Sequence, residues 1–367
     1  MSHAAIRAAN RSVYRRLASR GVCVTVAVPQ RWYSVLGGVL RAEPEPHDST
    51  IRLAVRKRLG KTHTNLYMLW PGIADLVGTR AHSAIYVDED PPGLMALQCA
   101  LAARRTGAGL VILSLQNIFK RYPAPFNLIQ RHVFARAGAC LAATRECEEI
   151  IRLRGYRGPV TIMRFAYDLT PMPEFAREEV ARRHGFGRPA VGFVGRLVHE
   201  KGVDVLLRAV QRLPNVHAVI AGDGPERGAL RELVDALDLK KRVSFLGNLA
   251  PEEAVRVVGA LDVCALPSRT KEFWKEQVGR VPIEAMAQGV PVVGSSSRGI
   301  AETIGGAGLL FPEEEVIELA HCIATALASP QREELSARGL ALARSEYSLD
   351  RAAAALDAAL QRSIEAA

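Results

Sequence analysis

The strongest constraint on the fold is a set of short apolar runs that recur between helix-length segments. "GLVILSL" (Gly109–Leu115), "ACLAAT" (Ala139–Thr144), "AVGFVG" (Ala190–Gly195) and "DVCALP" (Asp262–Pro267) carry almost nothing that could face water. Strands of this kind need cover on both faces, and helices that connect parallel strands supply it. "VCVTVAVP" (Val22–Pro29), "SAIYVD" (Ser83–Asp88), "VTIMRF" (Val160–Phe165), "HAVIAG" (His217–Gly222), "VSFLG" (Val243–Gly247), "PVVGS" (Pro291–Ser295) and "GLLF" (Gly308–Phe311) complete the set. Helical stretches fill the gaps, among them "PPGLMALQCALAARRTG", which closes on a glycine suited to a C-cap. The alternation stops at "DLTPMPEFAREEVARRHGFGRP" and then restarts.

Two series imply two doubly wound α/β domains with parallel sheets. The expected boundaries are 1–170, a linker at 171–187, a second domain at 188–345, and a final helix at 346–367. That helix, "YSLDRAAAALDAALQRSIEAA", lies outside the second series and is free to return to the first domain. Such sheets bind ligands beyond the carboxyl ends of their strands, so two facing domains would enclose a cleft. The first domain departs from the pattern at its start. A loop and helix precede its first strand, where a central strand is usual, so we expect that strand to be missing and the start to be truncated.

Charge and cysteine content narrow the function classes. Residues 1–170 hold 24 Lys and Arg against 11 Asp and Glu, a net +13, whereas 171–367 hold 24 against 27, a net −3. A basic half suggests an anionic partner. The arginine clusters "RSVYRRLASR" and "IRLAVRKRLGK" fall at helical spacing, which suits an anionic membrane surface; no nucleic-acid module accompanies them, and no nucleic-acid partner is expected. Six scattered cysteines form no Cys-x-x-Cys pair, which argues for a reduced, cytoplasmic protein without a zinc site. No run is long enough to span a bilayer, and "MSHAAIRAANRSVYRR" has no apolar signal core. The expected location is therefore cytoplasmic or peripheral on the cytoplasmic face of the inner membrane.

Three stretches of the second half carry chemistry. In "AVGFVGRLVHEKG" a strand runs into Gly195 and Arg196, and Lys201 follows five residues on. Two cations on a glycine-bracketed loop make a reasonable diphosphate clamp, although surface loops often carry two cations. "HAVIAGDGPERG" offers Gly222 and Gly224, but its third glycine, Gly228, comes one residue late for a dinucleotide fingerprint. A tight turn packing helix on strand explains it better. In "FWKEQVGRVPIEAMAQGVPVVG" Glu276 precedes a helix and Glu284 falls in its first turn, with Pro282 at the first helical position and Gly289 ending the helix. That helix start, entered through Val278, Gly279 and Arg280, favours an anion.

In order, "GRLVHEKG", "AGDGP", "FLGNL", "DVCALPS", "EQVGRVPIE" and "EAMAQGVPVV…RGIAETIGGAGLLF" resemble a retaining glycosyltransferase of family 4, a group 1 glycosyltransferase of the GT-B fold. The resemblance implies that Arg196 and Lys201 hold the donor diphosphate, that Glu284 holds the nucleotide ribose, and that Glu276 contacts the donor sugar. Gly195, Val278, Gly279, Arg280 and Asn248 would complete the donor side. It also implies a UDP- or GDP-linked sugar donor, a glycan or lipid-linked acceptor, and no metal or other cofactor.

The first domain matches less tightly. Where the family often has a histidine after the fifth strand, "SLQNIFKRYP" carries Gln116 and Asn117. The usual Pro-Asn-Gly-Val-Asp appears as "MRFAYD", ending at Asp168. "SLQNIFKRYP" and "VDEDPP" resemble a bacterial subgroup with Trp-Gln-Asn and Glu-Glu-Pro at these places. Glu89 and Asp90 are expected on an acidic loop facing the acceptor, since a metal-binding Asp-x-Asp would lack the rest of its fold. His3 would border the cleft, although a histidine so near a chain start is ordinarily exposed. A sugar-nucleotide epimerase of the same fold fits the residue set poorly. A non-catalytic nucleotide-sugar binder would follow if the missing strand disabled the first domain.

Overall fold

The structure is a computed structural model that describes residues 1–33, 39–59, 69–77, 82–167 and 171–367. The chain divides into two compact units, Met1–Ala166 with Leu349–Ala367, and Tyr167–Ser348. Asp168 lies outside the described residues.

The first unit begins with α1 (Ser12–Ala18), followed by β1 (Thr25–Pro29), β2 (Arg31–Tyr33), β3 (Val39–Arg41), β4 (Arg52–Arg56) and α2 (Ile73–Val77). A regular alternation follows: β5 (Ala84–Val87), α3 (Leu94–Thr106), β6 (Gly109–Ser114), α4 (Ala124–Arg136), β7 (Ala139–Ala142), α5 (Arg145–Leu153) and β8 (Val160–Ile162). β5, β6, β7 and β8 form one parallel sheet in that order, β1 pairs with β4 in parallel, and β2 with β3 antiparallel. Every residue of β6 and β7 is buried, as their apolar runs require.

Main-chain pairing between β1 and β5 passes through the first two residues. Ser2 donates its N–H to the Ala27 carbonyl at 3.1 Å and forms a parallel bridge with Asp88. The Met1 ammonium donates to the Tyr86 carbonyl at 2.8 Å.

Over its described residues, 51–59, the cluster "IRLAVRKRLGK" does not form the helix its arginine spacing suggested. It contains β4, in which exposed Arg52 and Val55 flank buried Ala54. The apolar residues here pack against β1 along a parallel ladder from Thr25–Arg52 to Pro29–Arg56, and that ladder overrides a spacing that charge alone had suggested. "RSVYRRLASR" does form a helix, α1.

The second unit holds α6 (Glu174–His184), β9 (Ala190–Val194), α7 (Val203–Gln211), β10 (His217–Ala221), α8 (Arg227–Ala236), β11 (Val243–Gly247), α9 (Pro251–Ala260) and β12 (Val263–Leu266). It continues with α10 (Arg280–Ala287), β13 (Val292–Ser295), α11 (Arg298–Ile304), β14 (Leu309–Phe311), α12 (Val316–Leu327) and α13 (Gln331–Glu346). Its six-stranded parallel sheet runs β11-β10-β9-β12-β13-β14. Strand order therefore reverses between β9 and β12, the position at which open α/β sheets gather ligands.

The last helix, α14 (Leu349–Glu365), belongs to the first unit. Its buried Ala352, Leu356 and Ala359 join a core with Tyr14, Leu17, Val26, Val111, Leu113 and Leu141. We expect Leu356→Ala to destabilise the first unit by about 2–5 kcal/mol through the cavity it leaves, measured by urea unfolding; a loss below about 0.5 kcal/mol would contradict this packing.

Candidate functional site

The reversal point of the second sheet collects the residues singled out in the sequence. The loop leaving β9 carries Gly195, Arg196 and, as the last residue of a short 3-10 turn, Lys201. The loop leaving β12 carries Ser268, Trp274 and Glu276. The two loops are joined side chain to side chain: the Lys201 ammonium donates to Glu276 Oε2 at 2.5 Å, and the Ser268 hydroxyl donates to the same oxygen at 3.2 Å. Lys201 also lies 5.2 Å from the centre of the Trp274 ring. Arg196 is exposed and forms no ion pair among the described residues.

Backbone contacts fix these loops. Gly202 has φ +65° and its α-carbon abuts the Pro267 carbonyl, so both the conformation and the approach exclude a side chain. Gly222 passes equally close to the Gly195 carbonyl, which accounts for the Gly-x-Gly turn without a dinucleotide. Gly299, at the start of α11, presses on the carbonyls of Glu276 and Gln277. Arg269 ties the loops further. Its N–H donates to the Glu200 carbonyl at 2.8 Å, and its guanidinium donates to the His199 carbonyl at 2.8 Å and to Asp204 at 2.6 and 2.8 Å.

The helix after Glu276 starts earlier than its proline suggested. Gly279 is the N-cap and Arg280 the first residue of α10, so Pro282 is third and Glu284 stands beyond the first turn. Any of the first few N–H groups of a helix lacks an intrahelical acceptor, and proline therefore fits the third position as well as the first. The helix ends at Ala287, and Gly289 follows at φ +72°. The Glu284 carboxylate owes its setting less to the helix end than to Arg280, whose Nε donates to Glu284 Oε1. Glu284 is buried; burial raises its carboxyl above the usual range, and Arg280 only partly offsets this. Gly279 and half-buried Val278 line the approach to the helix, whereas Asn248 stands exposed past β11 without a side-chain hydrogen bond among the described residues.

In the first unit the singled-out residues form two groups at neighbouring strand ends. Beyond β5, His3 Nδ1 pairs with Glu89 Oε1, and the His3 ring stacks on Trp32 with centroids 4.4 Å apart. His3 is thus held in place, contrary to the exposure expected near a chain start. Glu89 is buried beneath it, so this part of the acidic stretch is not a solvated loop. Burial lowers the His3 imidazole pKa, but Glu89 outweighs this and the net shift is upward; burial raises the Glu89 carboxyl. Beyond β6, Gln116 donates to the Tyr122 hydroxyl at 2.8 Å and also hydrogen-bonds Asp90, while buried Asn117 sits beside it. Among the described residues no three His, Cys, Asp or Glu side chains are grouped to hold a metal ion.

Residues 176–340 match the family model described as glycosyl transferases group 1. The chain is a glycosyltransferase with the GT-B fold. It is 29% identical over 299 residues to an alpha-D-kanosaminyltransferase of Streptomyces kanamyceticus, covering 75% of each chain. It is 32% identical over 189 residues to a GDP-mannose-dependent monoacylated alpha-(1-6)-phosphatidylinositol monomannoside mannosyltransferase of Corynebacterium glutamicum, covering 49% of each. The solved structure of Anabaena Alr3699/HepE in complex with UDP and glucose superposes with a TM-score of 0.73 at 21% identity, over 96% of this chain and 95% of that one. In the glycosyltransferase, Ser268, Arg269, Trp274 and Gly299 went unread in the sequence; "LPSRT" and the glycine of "SRGI" were the available signals. We expect Gly202→Ala to cost roughly 1–3 kcal/mol from backbone strain alone, seen as a lowered urea midpoint; an unchanged midpoint would contradict the close contact with Pro267.

Proposed function

We propose that this glycosyltransferase is a retaining enzyme that moves a hexose-like sugar from a UDP- or GDP-linked donor to a lipid-linked, polysaccharide or other glycan acceptor. The observation that carries this reading is the junction of Lys201 and Glu276 at the sheet's reversal point, with Glu284 on the helix that follows. Arg196, Lys201 and the start of α10 meet the charge that grows on the departing diphosphate, and preorganised charge of this kind is a large part of catalysis. The reading takes no metal ion or other cofactor. Glu284 receives the ribose hydroxyls. Glu276, already held by Lys201 and Ser268, orients the donor sugar rather than attacking it. The anomeric carbon–phosphate oxygen bond breaks with its electron pair leaving on the nucleoside diphosphate. The acceptor oxygen bonds to the anomeric carbon, and its proton passes to the leaving phosphate.

The acceptor belongs with the first unit in this reading, beside His3, Glu89, Asp90, Gln116 and Asn117. The mannosyltransferase relative acts on a lipid-linked acceptor by its name. An anionic, cytoplasmic membrane surface as partner is supported by charge and exposure. From Pro91 to Arg145 there is no Asp or Glu, while Lys120, Arg121 and Arg131 lie there. Phe119, Leu128 and Leu153 are exposed nearby, at 52%, 63% and 69%, and Arg131, Leu153, Arg154 and Arg157 line one 650 Å³ pocket. No helix among the described residues is long and apolar enough to cross a membrane.

A panel of nucleotide sugars with and without candidate acceptors tests the function. Free sugar plus nucleotide, or glycosylated acceptor with retained configuration, is expected; an epimerised donor or no turnover would replace this reading by an epimerase or a binder. Lys201→Ala and Glu276→Ala should each lower turnover by at least about a hundredfold while far-ultraviolet circular dichroism stays unchanged. Near-normal turnover in both would remove the site. Co-sedimentation with phosphatidylglycerol vesicles is expected at low salt and lost at high salt; no binding at low salt would end the membrane part.

A further inference from the structure

We propose that Arg280 is a positioning residue, fixing the Glu284 carboxylate for the donor's ribose without itself touching the donor. The inference rests on the assignment of Glu284 to the ribose. Arg280 and Glu284 are four residues apart, on one face of α10, and the Arg280 Nε–Glu284 Oε1 bond joins them. The bond is made through Nε and reaches one carboxylate oxygen, so Oε2 is left for a ribose hydroxyl.

Arg280 is itself held from the other side. Its guanidinium lies 4.9 Å from the centre of the Tyr167 ring. Tyr167 is anchored in turn: its N–H donates to the Tyr347 carbonyl at 3.0 Å, and the buried Tyr347 hydroxyl donates to the Thr303 carbonyl at 2.7 Å. A guanidinium stacked on an aromatic face and bonded to a carboxylate loses most of its freedom before any ligand arrives. Glu252 of α9 adds a further attraction to Arg280.

Glu284 needs that help because it is 4% exposed. A buried carboxylate without a cation tends to take up a proton, and a neutral carboxyl is a poorer acceptor for sugar hydroxyls. Arg280 is the charged group acting on Glu284. The other titratable groups that feel Glu284 are Tyr167 and, on β12, Cys264, both of which burial keeps protonated across the neutral range, each at about 12. α13 packs on α10 with Gly339 against Met286.

The sign follows. The Glu284 carboxyl is raised even with Arg280 present, and removing the cation raises it further. Donor affinity carried by ionised Glu284 is present at high pH and fails as pH falls through that raised value. The test is the donor KM and kcat from about pH 6 to about pH 9 for wild type, Arg280→Met, Arg280→Lys, Glu284→Gln and the double variant Arg280→Met with Glu284→Gln. Arg280→Met should move the low-pH rise in donor KM to higher pH, raising KM several-fold more near pH 6 than near pH 9. Arg280→Lys should keep the wild-type pH profile, because the charge remains. In the Glu284→Gln background Arg280→Met should add nothing.

A KM increase of the same size at every pH, persisting in the Glu284→Gln background, would make Arg280 a direct donor contact and overturn the proposal. A wild-type profile in Arg280→Met, with donor binding lost in Glu284→Gln, would overturn this proposal alone. Wild-type donor binding in Glu284→Gln would overturn the ribose assignment as well. Thermal unfolding of each variant separates these outcomes from a folding defect, and Arg280→Lys supplies the comparison if Arg280→Met does not fold.

Discussion

Backbone passing against backbone at the reversal of the second sheet is the constraint on which the candidate site depends. Gly202 abuts the Pro267 carbonyl, Gly222 the Gly195 carbonyl, and Gly299 the carbonyls of Glu276 and Gln277. Each contact brings together loops from strands that are distant in sequence, and none leaves room for a β-carbon. Side-chain bonds could not set such distances alone, because long side chains can change rotamer while main chains in contact cannot pass. Arg269 then bonds the same loops at their rims.

Within this frame the charged groups are mutually engaged. Lys201 is bonded to Glu276, and Arg280 to Glu284. Neither carboxylate is left as an uncompensated buried charge, a condition that would cost several kcal/mol. A diphosphate approaching Lys201 would compete with Glu276 and loosen that carboxylate for sugar hydroxyls. In the proposed reading the pairs would connect recognition of phosphate with recognition of sugar, and Arg196, exposed, would be available to an incoming anion.

Much of this was legible in the sequence because burial leaves a strong mark. β6, β7, β9 and β12 are nearly free of polar residues, and no other element type of that length hides both faces as readily. Residues whose role is relational were harder to see. Ser268 and Arg269 look like ordinary loop residues until the loop from β9 is beside them. β4 was misread because its arginines repeat at a helical interval, while its pairing with β1 is invisible in a local window. Pro282 suggested a helix start two residues too late, since a proline is equally tolerated anywhere in the first turn. The pairing of His3 with Glu89 joins residues 86 positions apart, which no local pattern reveals.

The return of α14 makes the first unit discontinuous, with the second unit inserted as one unbroken segment between its parts. During synthesis the whole of 167–348 is available before Leu356 and Ala359 leave the ribosome. The inserted unit can thus reach its native core first, while the earlier-made strands around Val111, Leu113 and Leu141 still lack part of their cover. The unit made first is completed last, and its exposed apolar sheet face is the stage at which a newly made chain is most open to chaperones or to aggregation.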